Sequence, residues 1–381
     1  MRKCLVCGGK LFDEPLMKLD NMPSSAQNIP NKDELTGDEG ISLGLCQCSG
    51  CGLVQLDCEP VDYYRDVIRS GGFSTTMVNL RRNQYKYLIE KHHLENKKFI
   101  EIGCGQGEFL SVLTEFPAEA YGVEHKQELV DIARKNGLNV FQGFIGNEND
   151  KISDELFDVF LSFNFLEHQP DPNGMLRGIY NMLTDDGMGL ITVPSLEYIL
   201  DNDGYYEIIR DHLAYYTFDS LRFVLERNGF EVLEQEMINR DTISAIVRKK
   251  KMIDISRIKN EYDVICSQIN NYIDGLNKQG KCAAVWGASH QGFTLLSTAE
   301  LNNKVKYIID SAPFKQGKFA PASHIPIISP AEAKENQTDA IIIMAPGYTD
   351  EIASIIKREF NEGIEIAVMM TNKLQMYEDL T

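Results

Sequence analysis

Positive charge is scarce in this chain. Its 381 residues carry 38 basic against 56 acidic side chains, a net charge of -18, which repels the phosphate backbone of nucleic acid and anionic membrane surfaces. Also missing is any apolar stretch near the roughly 20 residues that cross a bilayer. The opening Met1-Arg-Lys-Cys-Leu-Val-Cys7 lacks the long apolar core of a secretion signal. The expectation is a cytoplasmic protein, a monomer or small homo-oligomer, with neither nucleic acid nor membrane as partner. No Gly-x-Gly-x-x-Gly follows a strand pattern, so a pyrophosphate resting on a helix N-terminus is not expected. In a reducing compartment the nine cysteines are not a disulfide framework.

Metal explains the cysteines better. Cys4-Leu-Val-Cys7-Gly-Gly and Cys48-Ser-Gly-Cys51-Gly are two Cys-x-x-Cys knuckles, and four thiolates so spaced suit tetrahedral zinc. A closed set of four sulfurs leaves no position for water, so this zinc is expected to be structural. Cys46-Gln-Cys48 leaves a second choice of third ligand. Cys48 keeps the chelating spacing and is preferred, with Cys46 as a core thiol. A nucleic-acid-binding ribbon would need flanking basic residues, but Asp33-Glu-Leu-Thr-Gly-Asp-Glu39 supplies the opposite charge.

Beyond the knuckles, Met77 to His93 has helical periodicity, with Arg81, Arg82 and Lys86 read as a solvated face. Glu101-Ile-Gly-Cys-Gly-Gln-Gly107 then closes the apolar run 98–102 and opens the amphipathic run 108–113. Strand, tight loop and helix in that order need glycine for the turn, for close approach of a ligand to the backbone, and for packing of helix on strand. Ala120-Tyr-Gly-Val-Glu124 is a second strand ending on a carboxylate, which can accept both hydroxyls of a ribose. Val140 to Phe144 and Phe157 to Phe163 read as two more strands, the latter running into Asn164-Phe-Leu-Glu-His168-Gln-Pro-Asp-Pro. Ligands of open parallel sheets bind at strand C-terminal ends, so Asn164 and His168 face the expected cleft. With Gly189-Leu-Ile-Thr-Val-Pro-Ser195, this ordered set resembles the class I S-adenosylmethionine-dependent methyltransferases. The resemblance implies a cofactor site from Glu101, Gly103, Gly105, Gly107, Glu124, Phe144 and Asn164.

The last third repeats the logic. Cys282 to Gly287 is a strand entering a glycine turn, followed by a helix and by Val305 to Asp310, a strand ending on an acid; residues 340–345 and 365–370 read as two further buried strands. The expected fold is α/β throughout: a zinc-binding module over 1–62, a class I methyltransferase domain of Rossmann type over 63–248, and a second Rossmann-like domain over 249–381, read as the substrate domain.

That order of units, with Asp310, Pro313, Lys315, Gly317, His324, Pro326 and Ile327 in the last of them, resembles the nucleotide-sugar C-methyltransferases of deoxysugar biosynthesis. The resemblance implies a nucleotide-linked keto sugar as substrate and an enolate that attacks the methyl donor. It further implies a histidine base preceded by an acid, here His212 and Asp211, with His168 and Asn164 lining the same pocket and holding the enolate oxygen. The chain departs from that family at Ile209, at Gln291 and over 67–70, where a tyrosine is expected and Tyr63 and Tyr64 stand just upstream. An O-methyltransferase, or a binding protein without turnover, are the competing readings on the same scaffold.

Overall fold

The computed structural model describes residues 3–66 and 74–380; the departure at 67–70 lies outside them. The chain forms two compact units, Met1–Met252 and Ile253–Thr381. Residues 1–62 and 63–248 of the expected division thus fall in one unit.

The first unit is built on a seven-stranded sheet. Its strands run, in spatial order, Phe230–Ile238, Thr242–Lys249, Leu183–Pro194, Phe157–Phe163, Lys98–Ile102, Glu119–Glu124 and Asn139–Gln142. Thr242–Lys249 lies antiparallel to both neighbours, and the five strands from Leu183–Pro194 outward are mutually parallel. Parallel strands are covered on both faces and therefore read as near-continuous apolar runs; in Phe157–Phe163 every residue but Asp158 is buried. Helices Thr75–His92, Glu108–Leu113, Gln127–Lys135, Pro172–Asn181 and Phe218–Arg227 fill the connections. The order reverses between Lys98–Ile102 and Phe157–Phe163, and a crevice opens at such a switch point outside the strand C-termini.

The expectation that Arg81 belongs to a solvated face is corrected by the structure. Arg81 is 1% exposed, with its guanidinium 3.8 Å from the ring centroid of Phe163 and 4.9 Å from that of Phe109 and hydrogen-bonded to Gln84. Two aromatic faces and an amide take the place of water for this cation.

The cysteine module is fused to the same body. Met17–Met22, Ile41–Gln47 and Val54–Leu56 form an antiparallel sheet whose fourth strand, Ala214–Tyr215, comes from the segment after the main sheet's fifth strand. Val6, Leu11, Cys46 and Leu53 share one apolar core with Ile100, Phe160, Ile191 and Tyr216. Asn173 Nδ2 donates to the carbonyls of Leu5 and Val6. Cys46 is thereby a core thiol.

The second unit carries a six-stranded sheet in the order Ile327–Ile328, Val305–Ile309, Ala283–Trp286, Ala340–Ile343, Glu365–Met369, Leu374–Met376, parallel except for the last. Helix Ser256–Lys278 precedes it, and His290–Thr298 follows the glycine turn. No helix among the described residues is long and apolar enough to cross a membrane.

One glycine tests the packing. Gly189 pairs with Phe160 across the sheet, and a Cβ there would lie 1.9 Å from the buried Phe160 ring. Gly189→Ala should destabilise the first unit by about 1–3 kcal/mol, the cost of overpacking a core, as a lowered midpoint in urea. An unchanged midpoint would mean that the ring moves aside freely.

Candidate active site

The glycine loop follows the strand Lys98–Ile102. Gly103, Gly105 and Gly107 have φ of 71°, 59° and 87°, left-handed values that other residues adopt only at a cost. A Cβ at Gly107 would also meet Leu138 at 2.2 Å. Glu101 is fully buried in the strand that enters the loop. Glu124 ends the neighbouring strand and turns back to the loop, its Oε2 accepting from the Gly105 N–H at 3.0 Å and its Oε1 from the Lys126 N–H at 2.9 Å. Each carboxylate oxygen keeps a lone pair, enough for a ribose diol. Phe144 lies half-buried beyond the third strand, its ring meeting Tyr64, His125 and Phe165 edge to face at 5.9–6.1 Å. Backbone turned open by three glycines, a carboxylate and an aromatic cluster fit a nucleoside without phosphate.

Asn164 follows the fourth strand with φ 49°. Its Oδ1 accepts from Thr192 Oγ1 at 2.8 Å, which fixes the amide and leaves its NH₂ to donate. His168 is 6% exposed, with its Nδ1–H donating to the Asp211 carbonyl at 2.9 Å. A carbonyl can only accept, so Nε2 carries the lone pair in the neutral ring. His168 therefore accepts at Nε2, and the amide of Asn164 is the better donor toward an enolate oxygen. His212 stands beside it, ring centroids 4.8 Å apart and near perpendicular. Burial, and then the neighbouring His168, push the His212 imidazole down to about 3; burial also holds His168 below the usual imidazole range. Both rings are neutral near pH 7 and able to accept a proton.

Asp211 reaches the pair through its main chain. Its carboxylate instead accepts from Tyr63 Oη at 3.0 and 3.1 Å and from the Ala26 N–H at 3.1 Å. Sequence reasoning missed Glu167, which is 1% exposed, with Oε1 3.8 Å from His168 Nε2. Burial raises its carboxyl to about 8, so it is largely protonated at neutral pH. Its only sequence signal is its place directly before His168.

Cys4, Cys7, Cys48 and Cys51 bring their sulfurs within 4.8 Å of one another, at 3.5 Å for Cys4–Cys51 and 3.4 Å for Cys7–Cys48. Tetrahedral zinc with sulfurs at about 2.3 Å sets them about 3.8 Å apart. Main-chain N–H groups of Cys7, Gly9, Gly50 and Cys51 point at three of the sulfurs, which favours thiolates. The donor set fits a metal ion, and Cys48 takes the position for which Cys46 was the alternative.

This geometry agrees with what the chain resembles. Residues 79–235 match the methyltransferase domain and residues 238–370 the C-methyltransferase C-terminal domain. The C-methyltransferase NovU of Streptomyces niveus is 23% identical over 396 aligned residues, which cover 95% of this chain and 93% of that protein. A ubiquinone biosynthesis O-methyltransferase of Actinobacillus pleuropneumoniae is 30% identical over 113 residues, 27% of this chain and 48% of that protein; the chain thus spans about half that relative's length. Among solved structures, an S-adenosylmethionine-dependent methyltransferase from Clostridium acetobutylicum is 12% identical with a TM-score of 0.37, covering 45% of this chain and 92% of that one. The protein is an S-adenosylmethionine-dependent methyltransferase. Its last third carries the match to the C-methyltransferase C-terminal domain.

Glu124→Gln should weaken S-adenosylmethionine binding by about tenfold or more, since a hydrogen bond to a charged group contributes about 1.5–3 kcal/mol. Calorimetric titration of the folded variant checks this. Equal affinity would remove Glu124 from the ribose site.

Proposed function

We propose that the protein transfers a methyl group from S-adenosylmethionine to a carbon of a nucleotide-linked keto sugar, with His212 as the general base. The observation that carries this reading is the pair of imidazoles, His168 and His212, with ring centroids 4.8 Å apart at the end of the sheet that holds Glu124. Likeness to a C-methyltransferase along almost the whole chain supports the carbon acceptor. Resemblance of the second unit's Asp310-to-Ile327 stretch to the nucleotide-sugar enzymes supports the substrate class.

S-adenosylmethionine, when bound, supplies an electrophilic methyl on a sulfonium. Glu124 would hold its ribose, and the glycine loop would admit the adenosine, with Phe144 closing the aromatic side. His212 takes the proton from the carbon next to the ketone, which is acidified as negative charge passes to oxygen. The NH₂ of Asn164 donates to that oxygen. The enolate carbon would then take the methyl that the bound donor supplies, the donor's carbon–sulfur bond breaking as the new carbon–carbon bond forms, and the proton would leave His212 for solvent. Asp211 acts as a positioning residue: its carbonyl orients His168, and Tyr63 and Ala26 hold its carboxylate.

Incubation with S-adenosylmethionine and a panel of nucleotide-linked 4-keto sugars should give a product one methyl heavier by mass spectrometry, with fragments placing the methyl on carbon. A methyl on oxygen would overturn the enolate route, and turnover of other acceptors alone would overturn the substrate class. His212→Ala should keep cofactor binding and cut the rate by about two to four orders of magnitude, the range for loss of a general base.

Structural zinc at Cys4, Cys7, Cys48 and Cys51 is part of the same reading. It closes the module that shares a core with the methyltransferase sheet, so binding energy there is folding energy. Cys4→Ser should lower zinc content, from one ion per chain by elemental analysis, and the thermal midpoint together. A zinc-free variant of unchanged stability would refute the site.

A further inference from the structure

We propose that Glu167, His168 and His212 form a second metal site, for one divalent cation, and that this cation competes with the proton for His212. The competition rests on the reading of His212 as base; the site itself rests on geometry alone.

One carboxylate oxygen and one nitrogen from each imidazole lie within 4.8 Å of one another, and Glu167 Oε1 is 3.8 Å from His168 Nε2. Donors around one ion with bonds of about 2.1 Å stand about 3.0–3.5 Å apart, so side-chain rotation of about an ångström closes the set. Two imidazoles and a carboxylate suit zinc, cobalt, iron(II) or manganese.

Two independent features point to a ligand. The first is Glu167: both side-chain oxygens are buried and make no hydrogen bond among the described residues. A buried carboxyl without a partner is costly, and a cation would supply one, releasing the carboxyl proton to solvent as it binds. The second is the support of His168. Metal-binding histidines donate their other ring N–H to a carbonyl or carboxylate, which fixes the tautomer and aims the free nitrogen. His168 Nδ1 does this to the Asp211 carbonyl, and Asp211 is held in turn by Tyr63 and the Ala26 N–H. With His212 bound to a cation its lone pair is unavailable to the substrate's proton, so the loaded protein is a resting form.

Cobalt(II) distinguishes the sites, because thiolate ligands give intense near-ultraviolet charge-transfer bands and nitrogen and oxygen ligands only weak visible ones. Full-length protein saturated with zinc at its cysteines should take up one further cobalt ion per chain, with visible bands alone. Glu167→Gln and His212→Asn should each weaken that uptake by about tenfold or more, while calorimetry shows S-adenosylmethionine still bound. No second ion in the native protein, or unchanged affinity in both variants, would overturn the site. Methyl transfer should fall in step with cobalt occupancy and return on dialysis. Full turnover with the site occupied would overturn the competition and, with it, the role of His212 as base, a result separable from failure to bind.

Discussion

Everything at the active site depends on how the main chain from Asp211 to Tyr216 is held. Leu213 donates its N–H to the Glu167 carbonyl at 2.8 Å and accepts from the Leu56 N–H at 3.0 Å. Ala214 and Tyr215 pair with Gln55 and Val54 of the cysteine module, and Tyr216 accepts from the Leu196 N–H. Tyr215 Oη ties both main-chain groups of Ile209. The segment that carries His212 is thus bonded to the module on one side and to the His168 segment on the other. Each bond contributes only about 0.5–1.5 kcal/mol net, but an unmade one in a buried strand costs more. Two histidines 44 positions apart in the chain therefore stay face to edge. The module need not touch substrate to be required: by completing a strand pair it fixes where the base stands.

Burial at this site does electrical work that charge could not. A protonated histidine has no lone pair with which to abstract a proton. Removal from water disfavours the charged imidazole, while the same removal disfavours the charged carboxylate of Glu167. Acid and bases thus coexist in neutral form within a few ångströms. The negative surface of the molecule does not enter this balance, because exposed charges beyond about 8–10 Å are screened by salt.

Much of the fold was legible from sequence because its signals are local. The glycine triplet, the strands Lys98–Ile102 and Phe157–Phe163 and the helix Thr75–His92 each announce themselves by periodicity or by residues that only one conformation tolerates. The candidate site was legible to the extent that it sits on those signals, as Glu124 and His168 do. What sequence reasoning misplaced or missed was decided at long range. Arg81 looks like a surface cation until Phe109 and Phe163 close over it. Glu167 looks like an ordinary acid until the fold buries it. Asp211 was read as the acid preceding the base, but in the turn that carries it its carbonyl finds His168 and its carboxylate finds Tyr63, 148 positions away. No window of sequence contains such a pairing.

The two units invite a comparison that bears on how their ligands differ. Asp310 ends its strand as Glu124 does and uses its carboxylate in the same way, accepting from the glycine-turn N–H of Ala288 and from the N–H two positions on, that of Ala312, each at 2.8 Å. Glu124 accepts from Gly105 and Lys126 by the same rule. The similarity ends there. Lys315 places its ammonium 3.0 Å from Asp310 Oδ2 and 2.9 Å from the Ala288 carbonyl, filling the space in which a ribose hydroxyl would donate and cancelling the charge that would attract it. With the lysine seated, the second unit keeps the strand-turn-helix frame but lacks a free carboxylate at its turn. An adenosine bound as in the first unit would have to displace an ion pair that also braces the turn, so the frame in the second unit is suited to a ligand recognised by other groups than a ribose clamp.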